Sequence, residues 1–222
     1  MKPRALMSWS SGKDSAWSLS TVQQAGDLEV VGLFTTLNAE ADRVAMHAVR
    51  HEVLRRQADA AGLPLYTVGL PSPCTNEEYE VLTGAEMTRL KADLGVTHMV
   101  FGDLFLEDIR AYRERQVAAV GLEPVFPLWQ QPTPELGRAM IDGGLEAWLT
   151  CVDTEQLPGK FAGRRYDHEF LDALPEGVDP CGENGEFHTL VTRAPAFFRD
   201  LGVLRGELRV EPRFVFCDFS PF

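Results

Sequence analysis

Short apolar segments alternate with longer helical segments through the first half of the chain. The apolar segments are residues 6–9, 29–35, 65–68 and 97–101. The segments with helical spacing are residues 15–25, 42–61, 77–94 and 108–120, and a glycine follows each of them. This alternation predicts an α/β domain built on a doubly wound parallel sheet with right-handed crossover connections.

Polar residues stand where several of these predicted strands end. The segment 8–15 follows the first strand, Thr35 ends the second, and Gly102 and Asp103 follow the fourth. Ligands of doubly wound sheets bind outside the carboxyl ends of the strands. We therefore expect these residues to border a binding site.

The pattern changes near Pro127. Residues 130–134, Gln-Gln-Pro-Thr-Pro, form a polar and proline-rich connector. Beyond it we expect a helix, a strand, a basic turn, a short helix and several further strands, without the earlier alternation. The sequence therefore predicts two domains, residues 1–129 and a smaller α+β domain over residues 130–222.

Composition excludes some classes of protein. Of the 222 residues 45% are hydrophobic, which is enough for a substantial core, and the net charge of -12 argues against a nucleic-acid partner. No apolar run is long enough to span a membrane, and the N-terminal residues do not resemble a signal peptide. The four cysteines contain no Cys-x-x-Cys pair. We expect a cytoplasmic protein, and the sequence leaves open whether it forms a homo-oligomer.

The segment 8–15, Ser-Trp-Ser-Ser-Gly-Lys-Asp-Ser, joins a predicted strand to a predicted helix. Amide hydrogens at a helix start lack internal partners and attract phosphate, and Lys13 could add a full positive charge. This is not a Walker loop, which needs a glycine where Met7 stands and a hydroxyl residue where Asp14 stands. Asp14 would help to hold Mg²⁺ or would cap the helix. The alternative is an ordinary helix start, because serine and aspartate are common caps.

A second notable segment is residues 181–190, Cys-Gly-Glu-Asn-Gly-Glu-Phe-His-Thr-Leu. Gly182 and Gly185 favour a tight turn that would bring Glu183 and Glu186 together. Two neighbouring carboxylates raise each other's pKa or bind a cation, which suits amine binding or general-base chemistry. The alternative is an exposed hairpin with solvated acidic side chains.

Both segments resemble motifs of known families. Residues 10–15 resemble the PP-loop, Ser-Gly-Gly-x-Asp-Ser, of the ATP pyrophosphatase superfamily, although Ser11 replaces its first glycine. Residues 182–189 are similar to the Gly-Glu-Gly-Gly-Glu-[Tyr/Phe]-x-Thr signature of the diphthine–ammonia ligase family, with Asn184 in place of a glycine. The segments 102–114, 127–129 and 157–160 resemble further parts of that family.

This resemblance implies a HUP-like PP-loop fold and an ATP-dependent ligase. Such an enzyme adenylates a carboxylate, releasing pyrophosphate, before ammonia displaces AMP; in the family the acceptor is diphthine on translation elongation factor two. The implied cofactors are ATP and Mg²⁺, with Asp14 as metal ligand, and the implied catalytic residues are Asp14, Glu183 and Glu186. Nucleotide contacts are expected from Ser8, Ser10, Ser11, Gly12, Lys13, Asp14, Ser15, Thr35, Gly102 and Asp103. Substrate contacts are expected from Lys160, Gly182, Glu183, Asn184, Gly185, Glu186 and His188.

Other interpretations remain open. His47 and His51 have a spacing that can hold zinc, but no third ligand is evident nearby. A tRNA-modifying PP-loop enzyme would need a basic face and paired cysteines. A nucleotide sensor without turnover would keep the loop but have no use for the Gly-Glu turn.

Overall fold

The computed structural model describes residues 2–44 and 49–222, and the elements below are those of that part of the chain. The helices are α1 (Lys13–Ala25), α2 (His51–Ala61), α3 (Asn76–Leu94), α4 (Glu107–Ala119), α5 (Thr133–Asp142) and α6 (His168–Asp172). The first strands are β1 (Arg4–Ser8), β2 (Glu29–Asn38), β3 (Arg43–Val44), β4 (Leu65–Leu70), β5 (Val96–Val100) and β6 (Glu123–Val125). The later strands are β7 (Glu146–Asp153), β8 (Arg165–Tyr166), β9 (Phe187–Arg193), β10 (Val203–Val210) and β11 (Phe214–Pro221).

The first sheet has the strand order β4-β2-β1-β5-β6, and these strands are parallel. The chain winds outwards from β1 in both directions, so the strand order reverses between β1 and β5. This confirms the doubly wound sheet predicted from the sequence. The reversal is a topological switch point, which is where such sheets bind ligands.

The predicted helix over residues 42–61 was wrong at its start. Arg43 and Val44 instead form β3, which pairs antiparallel with the end of β2, and the amide of Val44 donates to the carbonyl of Val49. Helix α2 begins at His51. The apolar spacing predicts one continuous helix, but β3 and a bridge between Arg43 and Arg50 precede α2. Strand β6 was missed because it has three residues, including a proline.

The second sheet is antiparallel. Strand β7 is the central strand and pairs with β8, β9 and β11. Strand β10 pairs with β11. Helices α5 and α6 accompany this sheet, which confirms the predicted α+β second unit. The boundary between residues 129 and 130 stays a prediction.

One hydrophobic core runs through both sheets. Its buried members include Trp9 and Leu19 near β1 and α1, and Leu149 and Val191 on β7 and β9. The other face of the first sheet has a separate core under α3 and α4, which contains Met87 and Met99. Because the first core is continuous, the start of α1 lies against β9 of the second sheet. Within the described residues, no helix combines the length and the apolar character that crossing a membrane requires.

Candidate active site

The loop between β1 and α1 has a strained backbone. Ser11 has a φ of 74°, in the left-handed region that favours glycine, and its side-chain oxygen has no hydrogen-bond partner among the described residues. Its carbonyl accepts hydrogen bonds from the amide of Val191 at 2.9 Å and from Nε2 of Gln57 at 3.0 Å. Contacts from α2 and from β9 therefore hold the loop in this conformation.

Helix α1 begins at Lys13, two residues earlier than the spacing predicted. The amide of Lys13 donates to the hydroxyl of Thr189 at 3.1 Å, which again ties the loop to β9. The next two amides, those of Asp14 and Ser15, have no acceptor within the helix because of their position in its first turn. The hydroxyl oxygens of Ser10 and Ser15 lie 3.2 Å apart beside them. These groups form a cradle of hydrogen-bond donors suited to a phosphate.

Gly102 brings the end of β5 against this cradle. A Cβ atom at position 102 would lie 2.9 Å from the backbone carbonyl carbon of Asp14 and 3.0 Å from the backbone nitrogen of Ser15. Only glycine permits this approach of two backbones. The carboxylate of Asp103 consequently stands at the same edge of the sheet as Asp14, and burial raises the pKa of Asp103, against the opposing charge of Arg113.

The ammonium group of Lys13 points towards residues of the antiparallel sheet and of the turn that precedes β9. Its Nζ lies 2.9 and 2.8 Å from the two carboxylate oxygens of Asp14, and it also donates to the carbonyl of Cys181. It lies 5.5 Å from the ring centre of Tyr166 and 5.6 Å from that of Phe187. Burial lowers the pKa of Lys13, but attraction to Asp14 and Cys181 outweighs burial and raises it. Lys13 is thus a buried cation that already has an anionic partner.

Glu183 reaches across to the first sheet. Its Oε1 accepts from the amide of Leu104 at 2.7 Å and from that of Phe105 at 3.4 Å. Burial raises the pKa of Glu183 to about 7, and the negative charges of Asp14 and Asp103 act in the same direction while the bond from Leu104 opposes them. A carboxyl group with this pKa can exchange a proton near neutral pH.

Glu186 turns into the protein instead. It is 2% exposed, and its Oε1 accepts from the amide of Asp179 at 2.9 Å and from Nδ2 of Asn184 at 3.0 Å. The carboxylate of Asp179 in turn accepts from the amide of Glu183 at 2.9 Å. Gly182 and Gly185 supply the left-handed positions of this turn, with φ values of 70° and 84°. Glu186 and Asp179 therefore hold the turn that presents Glu183.

These groups surround a cleft of about 300 Å³ that both sheets line. Its wall contains Ser8, Ser10, Lys13, Asp14, Ser15, Gly102, Asp103, Leu106, Ile109, Arg113, Cys181, Gly182, Glu183, Gly185, Phe187, His188 and Thr189. An adjoining cleft is lined by Ser8, Trp9, Ser10, Phe34, Thr35, Thr36, Val44, Tyr79, Arg113 and His188. The structure thus gathers most of the residues singled out in the sequence.

Some of those residues do not line the first cleft. Ser11 is fully buried, and Gly12 caps the helix with extended backbone. The hydroxyl of Thr35 donates to the carbonyl of Trp9 at 2.5 Å in the adjoining cleft. Lys160 lies 5.4 Å from the ring centre of Phe161 and lines neither cleft. The nucleotide contacts expected of Ser11, Gly12 and Thr35 and the substrate contact expected of Lys160 therefore stay predictions.

Sequence reasoning missed Arg113 and Thr189. Leu106, which precedes α4, and Ile109 and Arg113 on α4 are spaced three and four residues apart and all line the cleft. That spacing was a signal that could have pointed to Arg113. Thr189 matches the threonine that ends the Gly-Glu signature, but its hydrogen bond with Lys13 depends on the packing of β9 on α1 and could not be read from that match.

The carboxylates suit a magnesium ion that arrives with a nucleotide. In the described part of the chain, no three or more His, Cys, Asp or Glu side chains are grouped to hold a metal by themselves. Magnesium, however, commonly uses one or two carboxylates together with substrate phosphates and water. Asp14 and Asp103 stand at the edge of the donor cradle and fit that pattern. His51 instead pairs with Asp42, its Nδ1 3.0 Å from Oδ1, and His47 lies outside the described residues.

Comparisons with known proteins cover nearly the whole chain. Residues 1–124 match the family model of the diphthamide synthase N-terminal domain, and residues 133–219 match that of the diphthamide synthase C-terminal domain. A diphthine–ammonia ligase of Danio rerio is 30% identical over 210 residues, which is 85% of this chain and 81% of that protein. A diphthine–ammonia ligase of Homo sapiens is 28% identical over 231 residues, covering 94% of this chain and 85% of that protein.

Proposed function

The chain belongs to the diphthamide synthase family, and from this premise we propose that it is an ATP-dependent ligase that forms a C–N bond. It adenylates a substrate carboxylate and then passes the acyl group to ammonia. One observation carries this proposal. The donor cradle at the start of α1 and the carboxyl group of Glu183, whose pKa is about 7, face the same cleft.

The two adjoining clefts accommodate the two parts of ATP. The triphosphate lies over the cradle, where the amides of Asp14 and Ser15 and the hydroxyl of Ser10 donate to its oxygens. The hydroxyl of Ser15 donates to the carbonyl of Gly12 at 3.0 Å. The nucleoside extends into the neighbouring cleft, where Phe34 and Tyr79 supply apolar surface. Ser8 and Ser10 line both clefts and stand where the two parts of the nucleotide join.

In the first step the substrate carboxylate attacks the α-phosphorus and pyrophosphate leaves. Negative charge grows on the leaving oxygens, and the amides of the helix start are already oriented to stabilise it. Asp14, with Asp103 nearby, would hold Mg²⁺, which supplies further charge neutralisation on the phosphates. The pairing of Asp14 with Lys13 keeps this carboxylate in place.

In the second step ammonia attacks the acyl carbonyl and AMP leaves. The attacking nitrogen must lose a proton, and the ionised form of Glu183 accepts it. Glu186 acts through its hold on the turn, while Gly182, Asn184, Gly185, His188 and Lys160 remain proposed contacts of the acceptor. The acceptor is a diphthine carboxylate, as the names of the relatives suggest. The family resemblance implies that translation elongation factor two carries this diphthine.

The products of ATP test this proposal. The protein is incubated with ATP, Mg²⁺, ammonium and a diphthine-bearing elongation factor; α-labelled ATP is used to follow AMP or ADP, and γ-labelled ATP is used in parallel to follow pyrophosphate. Equal amounts of AMP and pyrophosphate, formed together with the amide, are expected. ADP as the product would contradict the loop's proposed role, and intact bound ATP would favour a nucleotide sensor.

A further inference from the structure

Arg113 extends from α4 into the space where the two clefts meet. It lines both of them, together with Ser8 and Ser10. Its guanidinium carbon lies 5.4 Å from the ring centre of Phe101, and Nη1 lies 3.3 Å from the hydroxyl of Tyr79, to which it donates. These contacts with Phe101 and Tyr79 restrict the orientation of the guanidinium group.

The hydrogen-bonding capacity of this group is mostly unused. Nε is buried and has no hydrogen-bond partner among the described residues. The Tyr79 hydroxyl is a neutral acceptor at long distance, and Asp103 acts on Arg113 through its charge without a hydrogen bond to it. A buried donor on a charged group that lacks a partner is costly, so the arrangement is suited to an anionic ligand that supplies acceptor oxygens.

The other lysine or arginine that lines these clefts in the described residues is Lys13. Its ammonium group already contacts the Asp14 carboxylate and the Cys181 carbonyl. The amides of Asp14 and Ser15 belong to residues that line the first cleft and not the adjoining one. An anion at the junction of the two clefts would therefore meet Arg113 as its main source of positive charge.

We propose that Arg113 binds the α-phosphate of ATP. This inference rests on the proposed function, since it takes the nucleoside to lie in the cleft of Phe34 and Tyr79 and the pyrophosphate part to lie on the cradle. With the two ends so placed, the α-phosphate lies at the junction. Arg113 then stabilises the negative charge of the α-phosphoryl oxygens while the carboxylate attacks and pyrophosphate leaves.

The affinities for AMP and pyrophosphate distinguish binding of the α-phosphate by Arg113 from a structural role and from binding of the leaving pyrophosphate. Dissociation constants of AMP and of pyrophosphate are measured by calorimetry, with Mg²⁺ present, for wild type, Arg113→Gln and Arg113→Lys. The control is Arg115→Gln, because Arg115 is exposed on the same helix and lines neither cleft. Arg113→Gln should weaken AMP binding about 10- to 100-fold and change pyrophosphate binding less than about 3-fold. Arg113→Lys should give an intermediate AMP affinity, because it keeps the charge and loses the planar fork.

Three results would overturn the inference. If Arg113→Gln binds AMP with the wild-type affinity, Arg113 does not contact the α-phosphate. Equal losses for AMP and pyrophosphate would indicate a structural role, and a larger loss for pyrophosphate would place Arg113 at the leaving group. Wild-type protein that binds neither product would instead contradict the proposed function itself.

Discussion

The side-chain amide of Gln57 donates to the carbonyl of Ser11 at 3.0 Å. The same Nε2 donates to the carbonyl of Val191 at 2.8 Å, and Oε1 accepts from the indole of Trp9 at 2.9 Å. Gln57 is fully buried, so each of these bonds replaces one that water would otherwise make. A single glutamine of α2 thus joins Trp9 and Ser11 of the loop after β1 to Val191 of β9.

Ser11→Gly should stabilise the protein. Glycine adopts a φ of 74° without strain, and the substitution removes a buried hydroxyl that has no partner. Relief of about 1 to 2 kcal/mol is offset in part by the greater freedom of glycine in the unfolded chain. We expect the free energy of unfolding in urea to rise by about 1 kcal/mol, with the KM for ATP unchanged. A loss of stability would mean that the loop does not adopt this conformation in solution.

Gln57→Leu should lower the free energy of unfolding by about 3 kcal/mol, because it leaves the Trp9 indole and the Val191 carbonyl without a partner. It should also raise the KM for ATP, since Ser11 loses part of its support. If the KM rises because Gln57 no longer holds the positive φ of Ser11, then adding Ser11→Gly to the Gln57→Leu variant should restore the KM, because glycine adopts this φ without strain. Simple addition of the two single effects on KM would argue against the coupling. Gln24→Leu, at an exposed position of α1, is the matched control.

Gly102→Ala should impair nucleotide binding. The added Cβ would lie 2.9 Å from backbone of Asp14, which cannot rotate away as a side chain would. The end of β5 must then move off the start of α1, and we expect the KM for ATP to rise at least about 10-fold. Gly84→Ala is the control, because it lies inside α3 with its nearest neighbour 3.9 Å from the new atom. It should leave KM unchanged and add up to about 1 kcal/mol of stability.

Asp14→Asn should reduce turnover at least about 100-fold and lower stability by about 3 kcal/mol. The substitution removes the proposed Mg²⁺ ligand and leaves the buried ammonium of Lys13 without its carboxylate partner. Turnover and urea unfolding measure these two effects separately. A Lys13→Met/Asp14→Asn double variant should recover part of the lost stability but none of the turnover. Recovered turnover in the double variant would show that Asp14 serves the fold alone.

The position of the site could be predicted from the sequence because it depends on local patterns. Strand, loop and helix follow each other at residues 4–25, and a parallel sheet places every such loop at one edge. The positive φ of Ser11 was also foreseeable, since the PP-loop motif has glycine there. These features need no knowledge of how distant segments pack.

The direction of individual side chains could not be predicted in the same way. Lys13 points to Cys181, 168 residues further along the chain, and its partner could not be inferred before β9 was placed on α1. Glu183 and Glu186 stand three positions apart in one turn, yet the first faces the cleft and the second the interior. That difference depends on Asp179, whose amide and carboxylate hold both ends of the turn.

The amide-forming step should depend on the ionisation of Glu183. Because its pKa is raised to about 7, this carboxyl group is mostly protonated at pH 6 and mostly ionised at pH 8. Only the ionised form accepts a proton, so the rate should rise with pH through a midpoint of about 7 and level off about one to two pH units higher. Hydroxylamine is the better nucleophile for this measurement, since its own protonation interferes less than that of ammonia.

Two variants assign this pH dependence to Glu183. Glu183→Gln should abolish the rise with pH and lower the rate of hydroxamate formation at pH 8, while AMP affinity stays at the wild-type value. Asp103→Asn removes one of the negative charges that raise the pKa of Glu183, so the rise should move to lower pH. A pH profile that keeps its midpoint in both variants would mean that another group accepts the proton, and Glu183 would then serve only to fix Leu104 through its 2.7 Å hydrogen bond.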